Sequence, residues 1–252
     1  YIYPAMGKIK PNFFIGMGDE IYYDAGDIIA MTRDEGRYKW HRIYSLPWMQ
    51  DFFKEIPTYL IKSDHDTWIN DSSKFGQGRK HFKKAEPPTY KDTFSWDDGL
   101  KIWREQNPMS PLPYRTFRWG KHIQIWLSEY REYRDDNMKP DGPDKTLWGA
   151  EQIAWLKQSM LASDANFLLL INDSPMISKW YDKNDNHAEG FRYEGDAFLK
   201  WVVDSGLQDR LYIICGDKHW QHMFVDKNLK IAEFSVGTAT DAHAVAYPVK
   251  NG

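Results

Sequence analysis

The sequence predicts a mixed α/β fold, and three observations carry that expectation. Short apolar runs that read as buried strands (Phe13–Met17, Thr58–Ile61, Phe167–Ile171, Leu211–Cys215) are interspersed with stretches of helical spacing (Met31–Lys54, Trp96–Asn107, Gly149–Leu161). Two pairs of neighbouring strands, Tyr114–Trp119 with His122–Leu127 and Met223–Asp226 with Leu229–Phe234, call for hairpins, so the strands are mixed in direction and not purely parallel. No internal repeat or linker interrupts the 252 residues, a length sufficient for a sizeable core, and a single domain over 1–252 is expected.

Taken in order, residues 1–12 read as a helix or turn leading into Phe13–Met17. Met31–Lys54 reads as two helical pieces, because Pro47 interrupts the pattern. Thr58–Ile61 is a short strand that runs into Ser63-Asp64-His65-Asp66, and the polar stretch from Asn70 to about Ser95, with Gly76, Gly78 and Pro87-Pro88, reads as a long loop. Ser95 is placed to cap Trp96–Asn107, with Asp98 at the third helical position, and Pro108, Pro111 and Pro113 stop that helix. Gly120-Lys121 makes the turn of the first hairpin. A Pro/Gly/Asp-rich connector, Asn137–Lys145, precedes the Gly149–Leu161 helix, whose Ile153, Leu156, Met160 and Leu161 fall on or near one face. After Phe167–Ile171 come a polar insertion around Asp182–Gly190, a helix near Asp196–Asp204, the strand Leu211–Cys215, the second hairpin turning at Lys227-Asn228, and a tail from Gly237 through His243.

Composition excludes some function classes. A net charge of −3 without a lysine or arginine cluster argues against a nucleic-acid-binding surface, although bound cations would still let the chain act on anions. No apolar run is long enough to span a membrane, and neither an initiator Met nor a signal-peptide pattern is present. The single cysteine, Cys215, sits in an apolar run and reads as a buried, inert thiol. The 12 Trp and 15 Tyr suit a core or a substrate cleft equally; Trp126, Trp155 and Trp201 lie in patterned segments and read as core.

Chemistry concentrates at three strand ends. Phe13–Met17 runs into Gly18-Asp19-Glu20-Ile21-Tyr22-Tyr23-Asp24, Thr58–Ile61 into Ser63-Asp64-His65-Asp66, and Leu211–Cys215 into Gly216-Asp217-Lys218-His219. Loops at the carboxyl ends of strands are where α/β folds place ligands, and the recurrence suggests one polynuclear metal site. Asp19 and Tyr22, three apart in a turn, can reach one cation; phenolate suits a hard ion such as Fe(3+), and carboxylates suit many divalent ions. A cap with core tyrosines is the plain alternative there, and an Asx-turn with a solvated His is the alternative for Asp64-His65. In an extended turn Asp217 and His219 would project to the same side as a chelating pair. His222 reads as a surface residue as readily as a site residue.

These motifs, with Trp148-Gly149-Ala150-Glu151-Gln152-Ile153-Ala154-Trp155-Leu156, resemble the PhoD-type alkaline phosphatases, a branch of the calcineurin-like metallophosphoesterases, over about residues 11–243. The resemblance implies a four-layer αββα sandwich and hydrolysis of phosphate monoesters or diesters with Fe(3+) and Ca(2+). By motif position Asp19 bridges two metals, Tyr22 binds iron, Asp64 is a ligand, His65 is the catalytic histidine, and Asp217 with His219 form the last ligand pair. Asp173 substitutes for a ligand histidine that precedes a proline in the wider superfamily. Arg131, in Glu129-Tyr130-Arg131, supports the site or clamps phosphate in a bidentate manner. Ser63 stands where the family usually has Asp. Relatives take a first ligand, Cys or Asp, from a strand before the Gly-Asp turn, so the sequence is expected to be N-terminally truncated. Family habit implies a periplasmic or secreted setting, and the substrate is expected to be a small-molecule, lipid or polymer phosphoester. Rival expectations are a phospholipase D-like diesterase on the same site, a degenerate non-catalytic binding module on the same scaffold, and a carbohydrate-binding protein using its tryptophans.

Overall fold

A computed structural model describes residues 2–77, 94–179 and 185–240. Most of the long loop expected before Ser95, the first part of the Asp182–Gly190 insertion and the tail containing His243 lie outside the described residues. The chain separates into two compact units, 1–111 and 112–252.

The first unit begins with helix α1 (Ile2–Lys8) and strand β1 (Phe14–Met17), followed by helices α2 (Arg33–Tyr44) and α3 (Pro47–Glu55). Pro47 does more than interrupt: it occupies the start of α3, where its missing N–H costs nothing. Strand β2 (Thr58–Ile61) pairs with β1 in parallel, Gly16 opposite Leu60, so both strands release their loops at the same edge. Ser63-Asp64-His65-Asp66, expected as an irregular strand end, forms a short helical turn, α4 (Asp64–Thr67), capped reciprocally by Ser63 and Asp66. Two-residue strands β3 (Ser72–Ser73) and β4 (Gly76–Gln77) pair antiparallel within the expected loop. Helix α5 (Trp96–Gln106) starts at the Ser95–Asp98 capping box read from the sequence. Trp40, Trp103, Tyr23, Phe94 and Ile102 form the core of this unit, and Tyr3, Phe14, Phe52 and Phe53 make a second cluster of edge-on rings.

The second unit is a six-stranded mixed sheet in the order β5-β6-β7-β8-β10-β9, made of β5 (Arg115–Trp119), β6 (Ile123–Leu127), β7 (Phe167–Asn172), β8 (Leu211–Cys215), β9 (Gln221–Asp226) and β10 (Ile231–Val236). The four central strands run parallel and each edge is a hairpin strand, as the paired runs anticipated. The last turn is Lys227–Lys230 and β10 starts two residues later than expected; Asp226 accepts the amides of Asn228 and Leu229 in that turn.

Helices α6 (Ala150–Leu161) and α7 (Arg192–Asp204) cover one face of this sheet. Leu156 and Met160 from α6, Phe198 and Val202 from α7, and Trp126, Leu168, Leu170, Leu211 and Ile213 from the strands close the core. Leu161 is exposed instead of packed, because five residues beyond Leu156 place it about 140° round the helix. Helix α7 starts four residues earlier than its periodicity indicated. Trp155 and Trp201 pack against the core from partly buried positions, and Cys215 is fully buried. Burial pushes the Cys215 thiol well above its ordinary range, in keeping with an inert group. On the other sheet face Ile123, Phe167, Leu169 and Tyr212 line an open apolar hollow.

Buried polar groups fix the loops of this unit. Glu194 on α7 accepts the amides of Leu147 and Trp148, the Thr146 hydroxyl and His187 Nε2 at 2.9 Å, while the Tyr130 hydroxyl meets His187 Nδ1 at 2.9 Å. Burial works to raise the Glu194 carboxyl, but the hydrogen bonds and charge of its partners hold it below its ordinary value. A carboxylate lowered in the folded state contributes stability above its unfolded pKa and loses it as pH falls through the folded value. Thermal unfolding is therefore expected to be flat in this contribution near neutrality and to weaken progressively below about pH 4.5. Glu194→Gln should lower stability by about 2 kcal/mol at pH 7 and flatten that acid limb, read by urea titration at several pH values.

Candidate metal centre

The first unit assembles its chemistry from the two parallel strand ends. After Met17 the chain turns through Gly18 at φ +92° and Asp19 at φ +56°. Glycine is required at 18, since a Cβ there would lie 2.4 Å from Ser63 Cβ and 2.5 Å from the Ser63 nitrogen. That close approach brings Asp19 up to the Ser63–Asp66 turn. One oxygen from Asp19, one from Asp64 and one ring nitrogen of His65 all lie within 4.8 Å of one another. Tyr22 joins them: its hydroxyl donates to Asp19 Oδ2 at 2.9 Å, and its ring lies against His65 with centroids 4.0 Å apart. Asp19, Tyr22, Asp64 and His65, nominated from sequence, are thus brought together.

Each is fixed from behind. Asp64 is buried and accepts the His65 amide at 3.0 Å, the Ser63 hydroxyl at 3.1 Å and the Asp71 amide at 2.6 Å. His65 Nδ1 lies 2.8 Å from Asp24 Oδ1, and the second Asp24 oxygen accepts the Asn70 amide, which leaves His65 Nε2 for substrate or cation. Asp66 takes the amides of Asp19 at 2.7 Å, Glu20 at 3.0 Å and Ile21 at 3.3 Å, and that of Ser63 at 2.9 Å. Sequence reasoning gave no task to Asp24 or Asp66, although both lay in the motifs it quoted; no local spacing marks a residue whose partner is 41 to 47 positions away.

The electrostatics are those of a cluster short of positive charge. Burial alone would lower the His65 imidazole, but Asp64, Asp19 and Asp24 outweigh it and push its pKa up to about 10. Burial raises Glu20 to about 7, with Asp19 adding to the effect. Asp66 is also raised, by burial first and by Asp19 second, against the amides of Ser63 and Ile21. Two carboxylates converging in this way, with the Tyr22 hydroxyl beside Asp19, fit a hard cation, which oxygen donors of this kind hold.

The second unit carries the other nominated residues. Asp173, just past β7, accepts Arg131 Nε at 2.6 Å with both side chains buried, and its carbonyl takes the Gly216 amide, tying the ends of β7 and β8. Arg131 is thus engaged with Asp173. Asp217 and His219 do not form the extended turn expected of them: both are left-handed, at φ +65° and +62°. Lys218 between them is buried, with its ammonium on the Asp217 carboxylate and 3.6 Å from Asp185. His222 is partly buried; its Nδ1 accepts Trp220 Nε1, and its Nε2 meets the Ser178 hydroxyl at 2.9 Å. Glu233 gathers the amides of Met176, Ile177 and Ser178. Asn172 Nδ2 and Ser174 Oγ are buried with no hydrogen-bond partner among the described residues.

A mixed α/β chain in which acidic and imidazole side chains cluster beyond the ends of β1 and β2 defines the class. A family profile described as PhoD-like phosphatase matches residues 1–246, and the chain belongs to that family. It is 22% identical over 254 residues to alkaline phosphatase D of Bacillus subtilis (strain 168), an alignment covering 86% of this chain and 42% of that protein. A solved structure described as "Structure of PhoD" shares the fold, an α/β sandwich, with a TM-score of 0.77 at 19% identity over 95% of this chain and 53% of the other. The chain therefore spans about half the length of the relatives it matches.

Buried ion pairs penalise removal of one partner more than removal of both. Asp173→Ala should destabilise the protein by about 3–5 kcal/mol by leaving the Arg131 guanidinium buried without its carboxylate. The double variant Asp173→Leu/Arg131→Met should recover most of that loss in chemical denaturation.

Proposed function

We propose that the chain is the catalytic domain of a metal-dependent phosphoester hydrolase acting on phosphate monoesters or diesters. The observation that carries this reading is the convergence of Asp19, Asp64 and His65 within 4.8 Å, with Tyr22 on Asp19 and Asp24 behind His65. Membership of the PhoD-like phosphatase family supports it.

Asp19 and Asp64 are the residues that would hold the cation, with Tyr22 as a further oxygen donor beside Asp19. A bound cation there supplies charge for the phosphoryl oxygens and acidifies a water for attack. Asp24 holds His65 by Nδ1, and His65 donates from Nε2 to the leaving-group oxygen or steadies the charge that builds on the phosphoryl group. The Asp24 carboxylate on Nδ1 favours the protonated imidazole, the form a donor requires. In the second unit Asp173, Asp217 and His219 are the further metal-binding candidates, with Arg131 supporting Asp173; family resemblance and their place at strand ends support these assignments.

Fe(3+) with Ca(2+) is the metal content we favour, because a phenol beside a carboxylate suits the trivalent ion and clustered carboxylates suit calcium. A periplasmic or secreted setting belongs to the same reading and rests on resemblance alone. No helix among the described residues is long and apolar enough to cross a membrane.

The test combines elemental analysis with a panel of phosphate monoesters and diesters. Asp19→Asn should lose bound metal and turnover together. His65→Asn should keep its metal and lose about 10²–10⁴-fold in turnover. Full turnover in His65→Asn would remove the role assigned to it, and a metal-free wild-type protein inactive on every ester would overturn the reading as a whole.

A further inference from the structure

Of the three consecutive residues Asp64, His65 and Asp66, the last contributes nothing to the ligating cluster, yet it makes more contact with the Asp19 turn than either neighbour. Its carboxylate is buried and accepts four backbone amides. Three belong to consecutive residues after β1, Asp19, Glu20 and Ile21, and the fourth is Ser63 after β2. One oxygen, Oδ2, takes both the Asp19 amide at 2.7 Å and the Ser63 amide at 2.9 Å, so a single atom joins the two loops at the point where each delivers a ligand. Successive amides turned inward in this way form an anion-binding concavity, and Asp66 is the anion that fills it.

We propose that Asp66 is a positioning residue for the metal centre: by binding both strand-end loops through their amides it sets the separation of the Asp19 and Asp64 carboxylates, and with it the choice of cation. The inference rests on the metal-centre reading above and assigns Asp66 no bond to the metal. The geometry excludes direct ligation as its main task, because both oxygens are engaged by backbone donors. It also accounts for the conformation of Asp19. A left-handed aspartate with Gly18 pressed against Ser63 persists only if something holds the turn, and the three amides converging on Asp66 do so.

The consequence concerns selectivity. Ca(2+) accepts six to eight oxygen ligands in flexible geometry, whereas the smaller Mg(2+) demands a near-ideal octahedral oxygen shell. Loosening the spacing of two carboxylates therefore penalises Mg(2+) more than Ca(2+). In Asp66→Asn one oxygen is replaced by an amide group that faces backbone N–H donors and cannot accept from them.

The experiment titrates the metal-stripped protein separately with Mg(2+) and Ca(2+) by calorimetry, using wild type, Asp66→Asn and Asp19→Asn. Asp66→Asn is expected to keep its stoichiometry and to weaken Mg(2+) binding about tenfold or more, the usual cost of removing a group that orients a ligand, with Ca(2+) binding weakened much less. A change in the ratio of the two constants is the signature, since a merely less stable fold would weaken both alike. Equal shifts for both ions, or none in a folded Asp66→Asn, would overturn the inference. Should that variant fail to fold, hydrogen exchange on the metal-stripped wild type decides: slow exchange at Asp19, Glu20, Ile21 and Ser63 supports the clamp, and rapid exchange at these amides overturns it. Asp19→Asn separates the two readings, because unchanged cation binding there defeats the metal centre itself, whereas lost binding there with an unaltered Asp66→Asn defeats only the clamp.

Discussion

A strand that stops leaves backbone N–H groups with no ladder to join, and burying them unpaired costs about 1–3 kcal/mol each. This chain meets that constraint with buried carboxylates. Asp66 takes four such amides at the ends of β1 and β2 and Glu233 takes those of Met176, Ile177 and Ser178 in the loop after β7, while Glu194 does the same for Leu147 and Trp148 ahead of α6. Each carboxylate is itself expensive to bury, and each is made tolerable by donors that cannot leave. The loops so tied carry the candidate ligands or adjoin them, so the polar interior sets the geometry of the surface chemistry.

What the sequence disclosed follows from what is local. The buried strands were legible because Phe14–Met17, Phe167–Ile171 and Leu211–Cys215 are unbroken apolar runs, and the Ser95–Asp98 box was legible because a cap and its partner are three residues apart. Asp19, Tyr22, Asp64 and His65 were legible because they follow such runs directly. Tasks of residues that act at a distance were hidden. Asp24 and Asp66 looked like further members of an acidic cluster, and only the parallel pairing of β1 with β2 separates them into a histidine partner and an amide acceptor. Glu233 alternates with Ile231 and Ser235 on the buried side of β10, a place where pattern alone predicts an apolar residue.

The Asp217–His219 turn failed for a related reason. The expectation that alternate residues project together assumes extended backbone, and that assumption does not hold where φ is positive at both positions. Lys218, between the two left-handed residues, is buried with its ammonium on Asp217 and near Asp185, the latter a pairing across 33 positions that local pattern does not reveal.

Four of the six non-glycine residues with positive φ among the described residues lie where chemistry is expected, Asp19 after β1, Asp71 beside Asp64, and Asp217 and His219 after β8; Lys10 and Lys230 are the other two. For a residue with a Cβ this conformation costs roughly 1–2 kcal/mol, less for aspartate, whose short polar side chain eases it. The three amides that Asp66 collects from the Asp19 turn offset the strain at Asp19. They hold the turn and its carboxylate in place before any cation arrives. A turn stabilised only by the cation would have to fold around it at each binding event, and affinity would fall by the cost of that ordering. Placing the stabilising charge one residue beyond the histidine, on backbone and not on metal, separates the work of building the site from the work of the site.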